Sequence, residues 1–222
     1  GVTINVVASD DIINAAEAGA GQSISGQVTG AAAGDTVTVT LGGATYTATV
    51  QANLSWSVDV PASALQALGN GELTISASVT NSVGNTGNGT REITIDANLP
   101  GLRVDTVAGD DVVNIIEHGQ ALVITGSSSD LAAGSNVTLT INGQTYVAAV
   151  LADGSWSVGV PAADVTALGS GPQTVTATVT DAAGNSDNSQ RQHHRRKPGE
   201  RYASGDCRSL GGGGQHQRHY RR

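Results

Sequence analysis

Oxygen-bearing side chains crowd two stretches of this sequence: "ASDDIINAAEAG" begins at Ala8 and "AGDDVVNIIEHG" at Ala108. In the second stretch Asp110, Asp111, Asn114 and Glu117 place four hard oxygen donors within eight residues. Asp96 and Asn98 lie in the segment "IDANLPG" between the two stretches, Asp105 follows it, and Asp181 opens the loop 181–188. Calcium takes six to eight oxygen ligands from carboxylates, amide carbonyls and backbone carbonyls. Those residues are therefore candidate ligands for a structural Ca2+ ion. Their spacing matches no EF-hand loop, and a second reading stands beside the first. Asp and Asn also favour turns and caps, and acidic surfaces keep long secreted arrays soluble.

Other chemistry fits these residues poorly. A glycosidase needs two carboxyls flanking a cleft, whereas adjacent aspartates repeated along the chain, without aromatic sugar platforms, suit a structural role. Up to Gln190 there is no cysteine and a single histidine, His118, whose counterpart 100 residues earlier is Ala18, so nucleophilic triads find no members. Phosphate-cradling glycine loops followed by helices are absent. The residues point away from an enzyme.

The elements that must hold these side chains follow from a repeat. At an offset of 100, Asp10-Asp11 match Asp110-Asp111, and Asn14 and Glu17 match Asn114 and Glu117. Tyr46, Trp56, Pro61, Leu68 and Gly84-Asn85 likewise return as Tyr146, Trp156, Pro161, Leu168 and Gly184-Asn185. A single domain is duplicated in tandem, with copies expected over residues 1–99 and 100–190. Within each copy apolar residues alternate with period two, as in "TVTVTL", "ATYTATV", "LSWSVDV" and "ELTISASVT". Gly42-Gly43 and Asn142-Gly143 separate two such runs and supply the residues of a two-residue hairpin turn. "PASALQALGNG" is the one helix-like piece. About seven strands per copy predict an all-β fold of two tandem immunoglobulin-like β-sandwiches, with Trp56 and Trp156 in the cores.

The motifs of the second copy, "GDDVVNIIEHG" and "VTLTINGQTYVAAVLADGSWSVGVPAADVTALGSGPQTVTATVTDAAGN", resemble the tandem bacterial Ig-like repeats of giant type I-secreted, RTX-type and biofilm-associated adhesins. The resemblance covers residues 1–190; the first copy departs from it in "QANLSW" and "TNSVGN". It implies a secreted or cell-surface bacterial protein whose consecutive domains hold calcium between them. It also implies a stalk or spacer for cell adhesion and biofilm formation, with neighbouring repeats of the same polypeptide as partners. A host-surface or biofilm-matrix ligand would bind elsewhere in the parent protein. The alternative is a receptor- or glycan-binding module, which would carry an exposed aromatic or apolar patch on its loops. These loops are Gly, Ala, Ser, Asn and Asp, which favours the spacer.

Charge divides the chain sharply. Residues 1–190 carry two basic residues, Arg91 and Arg103, against 17 acids, whereas residues 191–222 carry nine basic residues against Glu200 and Asp206. The basic end could suggest phosphate contacts or a metal held by Cys207 and its histidines, but no paired Cys/His spacing supports the second. Repeat logic offers another origin. After Gln190 the text should continue like "REITIDANLPG", and residues 193–198 have codons that, read one nucleotide on, can spell Thr-Ile-Asp-Ala-Asn-Leu. Residues 191–222 are therefore expected to be a disordered basic tail, a frameshifted reading without nucleic-acid function. The last strand of copy two would then be missing, leaving an exposed sheet edge. No apolar run is long enough to insert in a membrane and no signal peptide is visible. With Gly and not Met as its first residue, the chain is expected to be an excerpt from something longer.

Overall fold

A computed structural model describes residues 1–196. Copy one runs β1 (Val2–Ile4), β2 (Ile12–Asn14), α1 (Ala15–Ala20), β3 (Gln22–Val28), β4 (Thr36–Leu41), β5 (Ala44–Thr49), β6 (Ser55–Val60), α2 (Ala62–Leu68), β7 (Gly71–Thr80) and β8 (Thr86–Asp96). Copy two repeats the order as β9 (Gly101–Val104), β10 (Val112–Val113), β11 (Leu122–Ser129), β12 (Asn136–Ile141), β13 (Gln144–Ala149), β14 (Ser155–Val160), α3 (Ala162–Thr166), β15 (Gly171–Thr180) and β16 (Ser186–Arg195). In each copy a three-stranded sheet, β1-β3-β6 or β9-β11-β14, belongs with a five-stranded one, β2-β8-β7-β4-β5 or β10-β16-β15-β12-β13. The immunoglobulin-like sandwich read from the alternation is the observed fold, with eight strands per copy rather than seven.

Alternation along β4, β6 and β7 sends Val37, Val39, Trp56, Val58, Ile75 and Ala77 into one core; copy two repeats it with Val137, Leu139, Trp156, Val158, Val175 and Ala177. Trp56 and Trp156 are buried, as expected of core residues. Gly26 lets β3 pass over Trp56, because a Cβ there would stand 2.7 Å from the indole ring. The hairpin glycines also behave as read: Gly42 and Gly43 have φ of 56° and 84°, and Asn142 and Gly143 have 48° and 75°, the left-handed pair of a tight two-residue turn.

The extra strand arises where the acidic stretch changes sheets. β1 pairs antiparallel with β3, whereas β2 pairs in parallel with the end of β8, Ile12 opposite Thr94 and Asn14 opposite Asp96. The crossing between them needs Ala8, Ser9 and Asp11 at positive φ, a conformation that tertiary contacts must hold in place.

Copy two corrects one expectation. Its last strand is present: β16 pairs with β15 from Thr180↔Ser186 to Gly171↔Arg195 and with β10 at His194 and Arg195. Residues 191–195 are thus strand and not tail. The ladder begins at the turn 181–185 and uses backbone groups, which form it whatever side chains follow. The remainder of the expected tail, residues 197–222, lies outside the described residues.

Candidate functional site

The acidic stretches serve first as local architecture. Arg91 donates from Nε and Nη2 to the two oxygens of Asp11, and from Nη1 to the carbonyl of Ile4, 3.0 Å away. The Val7 amide adds a 3.0 Å bond to Asp11 Oδ1. This bidentate fork pins the crossing between the sheets. Its hydrogen bonds hold the Asp11 carboxyl below its ordinary range. Arg191 does the same for Asp111, which also accepts from the Val107 amide and whose carboxyl is likewise lowered, chiefly by Arg191. Arg191, expected as the first residue of a tail, is therefore the counterpart of Arg91.

Asp110 accepts from the Val112 amide at 2.9 Å, closing a turn. Asn114 and Glu117 form a reciprocal cap: the Glu117 amide donates to Asn114 Oδ1 at 3.1 Å and the Asn114 amide to Glu117 Oε2 at 2.9 Å. In copy one Asn14 and Glu17 make the same capping box, and there it starts α1. "NAAEAG" continues as helix. "NIIEHG" yields only a 3-10 turn at Glu117–Gly119, where β-branched Ile115 and Ile116 replace two alanines.

Strand direction decides what meets at the joint between the copies. β8 ends at Asp96, level with Asn14, so both stand at the exit end of copy one. The turn 181–185 joins β15 to β16 at the entry end of copy two. There Asn185, buried to 4% exposure, ties the copies together. Its Oδ1 accepts from the Ala15 amide at 2.8 Å, and its Nδ2 donates to the Asp96 carbonyl at 2.9 Å and to Asp181 Oδ2 at 3.0 Å. Asp181 Oδ1 in turn accepts from the amides of Ala183 and Asn185, each at 2.9 Å.

Of the eight candidate ligands, Asp96, Asn98 and Asp181 stand at this joint or beside it. The Asp96 carboxylate accepts from Asn70 Nδ2 at 3.1 Å and from the Asn98 amide at 3.3 Å. Asp105 lies four residues beyond the start of β9, accepts from Thr125 Oγ1 at 3.0 Å and stands 3.6 Å from Arg103. Asp110, Asp111, Asn114 and Glu117 do not come to the joint. β10 lies beside the end of β16, whose ten residues carry it roughly 30 Å from the turn 181–185, so they occupy the exit end of copy two. The same-numbered positions of copy one, Asn14 and Ala15, take the place at the joint that copy two's residues were expected to fill. The offset repeat hid this, because a residue at an exit end meets the entry end of the following copy and never its own. Asn185 carried no signal beyond its repeat with Asn85.

Among the described residues no three His, Cys, Asp or Glu side chains are grouped to hold a metal. At the joint the Asp96 carbonyl and Asp181 Oδ2 both accept from the Asn185 side-chain amide nitrogen; carboxylates and carbonyls are the oxygen ligands calcium uses. Further backbone oxygens and water would have to complete a coordination shell.

No protein-family model and no curated protein sequence matches the chain. Solved structures do. Over 87% of its length the chain is 37% identical, with a TM-score of 0.51, to a structure described as a Ca2+-stabilised adhesin that helps an Antarctic bacterium, Marinomonas primoryensis, reach out and bind ice. A second, from a 1.5-MDa bacterial ice-binding adhesin described for its retention at the host cell surface, is 35% identical over 87% of the chain, also at a TM-score of 0.51. This chain belongs to the Ig-like repeats of large bacterial adhesins. It spans 48% and 64% of the two adhesin structures. Both relatives are structural adhesin domains.

Proposed function

We propose that the two repeats form a spacer segment of a large secreted or cell-surface bacterial adhesin, carrying an adhesive region away from its anchor. The observation behind this reading is the joint itself. The exit end of one copy meets the entry end of the next, held by a buried asparagine that binds both. A unit whose two ends serve different halves of one joint extends by repetition. The large exposed apolar side chains among the described residues are all aliphatic, including Val83, Ile115, Ile116 and Leu151. None provides the aromatic platform of a glycan-binding module, and the reading is non-enzymatic. Among the described residues no helix is long and apolar enough to cross a membrane.

The second half of the proposal is calcium at the joint. Asp96 and Asp181 would hold the ion, with Asn98 beside them, while Asp110, Asn114 and Glu117 belong to the exit end of copy two. Asp105 and Asp111 are engaged by Thr125 and Arg191. Bound there, the ion would neutralise two carboxylates and restrict hinge motion. Millimolar calcium then raises the melting temperature and narrows the small-angle scattering distribution relative to chelator, because the ion binds only the folded joint. Identical scattering profiles and melting curves in calcium and chelator would remove calcium from the reading. Asp96→Asn with Asp181→Asn abolishes any calcium effect; Asp110→Asn leaves it in place.

A further inference from the structure

Three Asn-x-Ser/Thr triplets, the acceptor motif for N-linked sugars, lie in the chain: Asn53-Leu54-Ser55, Asn88-Gly89-Thr90 and Asn136-Val137-Thr138. A chain rich in Asn, Ser and Thr produces such triplets by chance, so what separates them is where the fold puts each. Asn88 and Asn136 sit in ladders, Asn88 opposite Ser78 in β7 and Asn136 opposite Ala149 in β13. Residues two apart in a strand stand about 7 Å from each other. That keeps the hydroxyls of Thr90 and Thr138 away from the carboxamides they would have to assist. A transferase must also bend the triplet into its cleft, and here the backbone is bound into a sheet.

Asn53 is placed otherwise. It tips the loop 51–54 between β5 and β6, exposed to solvent, and no hydrogen bond among the described residues holds the backbone of Ala52 or Asn53. Below the tip the loop is fixed: the Gln51 amide donates to the Ser55 carbonyl at 2.8 Å and the Leu54 amide to the Gln51 carbonyl at 2.9 Å. Asn53 Oδ1 accepts from the Ser55 amide at 3.1 Å and from Ser55 Oγ at 2.7 Å. The hydroxyl and the carboxamide of the motif are thus already together, and these bonds leave Nδ2 without a partner.

Copy two carries the same turn without the motif. Asp153 Oδ1 accepts from the Ser155 amide and hydroxyl at 3.0 and 2.6 Å, and Gly154 supplies at φ 80° the left-handed backbone that Leu54 adopts at 63°. Carboxylate and glycine suit that turn at least as well, because leucine rarely takes a positive φ. The fold therefore does not ask for Asn-Leu in copy one. What the exchange supplies is a carboxamide nitrogen, which a carboxylate lacks. Nor is the exposure owed to where the sequence starts: Asp153, in the copy that follows another, is exposed too. A preceding copy leaves this loop open, beside the joint and outside it.

We propose that Asn53 is the acceptor for an N-linked sugar. The donor is a sugar activated at C1 by a phosphate or diphosphate group, and a glycosyltransferase brings the two together. Asn53 Nδ2 bonds to C1, and the bond from C1 to the phosphate oxygen breaks, its electron pair leaving with the phosphate. The proton lost from Nδ2 passes to a base of the transferase. Ser55 stays unmodified and acts by holding the carboxamide. The site owes nothing to the spacer reading or to calcium, since none of its residues belongs to the joint.

The test incubates the folded full chain with a soluble N-glycosyltransferase specific for Asn-x-Ser/Thr and its nucleotide-activated hexose, read by intact mass and peptide mapping. A free peptide spanning residues 51–57 verifies that transferase and donor are active. One hexose is expected, on the peptide that contains Asn53. Asn53→Gln and Ser55→Ala each abolish it while keeping the circular dichroism and cooperative melting of the unaltered chain. Asp153→Asn, which completes the motif on the matching turn of copy two, gains a second hexose there. The proposal is overturned by no transfer to the folded chain, or by transfer to Asn88 or Asn136 in preference to Asn53. Transfer that survives Ser55→Ala, or no gain in Asp153→Asn, overturns it as well.

Discussion

Copy one and copy two share a ladder for their last strand and differ in what that strand puts into the core. In β8 the inward positions are Ile93 and Ile95, both 2% exposed. In β16 the same positions are His193, fully buried, and Arg195. Neither ring nitrogen of His193 has a hydrogen-bond partner, and Arg195 Nε is also unpaired, although Arg195 Nη1 reaches the Leu168 carbonyl at 2.7 Å. The pairing of β16 with β15 shows that backbone hydrogen bonds can carry a strand through text that no longer suits the core. The cost is moved from the fold to its stability, since a buried polar group without partners is destabilising.

The largest expected effect follows directly. His193→Ile restores the side chain of copy one at that site and stabilises copy two by about 3 kcal/mol. Scanning calorimetry should show the lower of two transitions rising toward the upper. The reverse change, Ile93→His, should lower copy one by a similar amount. If His193→Ile left copy two unchanged or less stable, the difference between the copies would lie elsewhere.

Acid separates the copies next. Burial pushes the His193 imidazole below its ordinary value of 6.5, with Asp111 opposing and His194 reinforcing the shift. The unfolded chain therefore binds a proton that folded copy two refuses. The stability of copy two is whole above about 6.5 and is lost as pH falls from there through the lowered value. Copy one has no histidine, and its pH loss waits for carboxylates. Asp11, lowered by Arg91, contributes stability above its unfolded range that disappears as pH drops through its folded value. Copy two should thus melt first on mild acidification, and His193→Ile should remove that early loss.

A smaller effect should be shared by both copies. Asp11→Asn and Asp111→Asn each break a bidentate fork to arginine that is about a quarter exposed, so solvent screens much of the interaction. A fall of a few degrees in melting temperature is expected for the copy carrying the change. Equal falls in the two copies would confirm that Arg191 belongs to the fold. A fall in copy one alone would set it apart.

Much of this was legible in residue patterns. Period-two runs located most of the strands, and the Gly-Gly and Asn-Gly pairs located the hairpins. The hydrogen-bonding role of Asn114 and Glu117 was hidden by their promise as metal ligands, although Asn-x-x-Glu is also a helix start. Asp11 and Arg91 are 80 residues apart, and only the crossing between sheets brings them together. The residues of the joint were misassigned for a topological reason: each repeat unit contributes its two ends to different joints. β16 was invisible because His193 and Arg195 break the apolar alternation, while the hairpin register that forms the strand leaves no mark on side-chain type.

Asn185 fixes the two repeats end to end through its bonds to Ala15 and Asp96. Nitrogen-15 relaxation on the full chain in chelator tests this most directly, since it reports whether the copies tumble together. One common, elongated rotational diffusion tensor is expected for both copies, separating into two faster ones in Asn185→Ala, whose individual folds and melting temperatures persist. Independent tumbling of the copies in the unaltered chain, or a common tensor that survives Asn185→Ala, would contradict it.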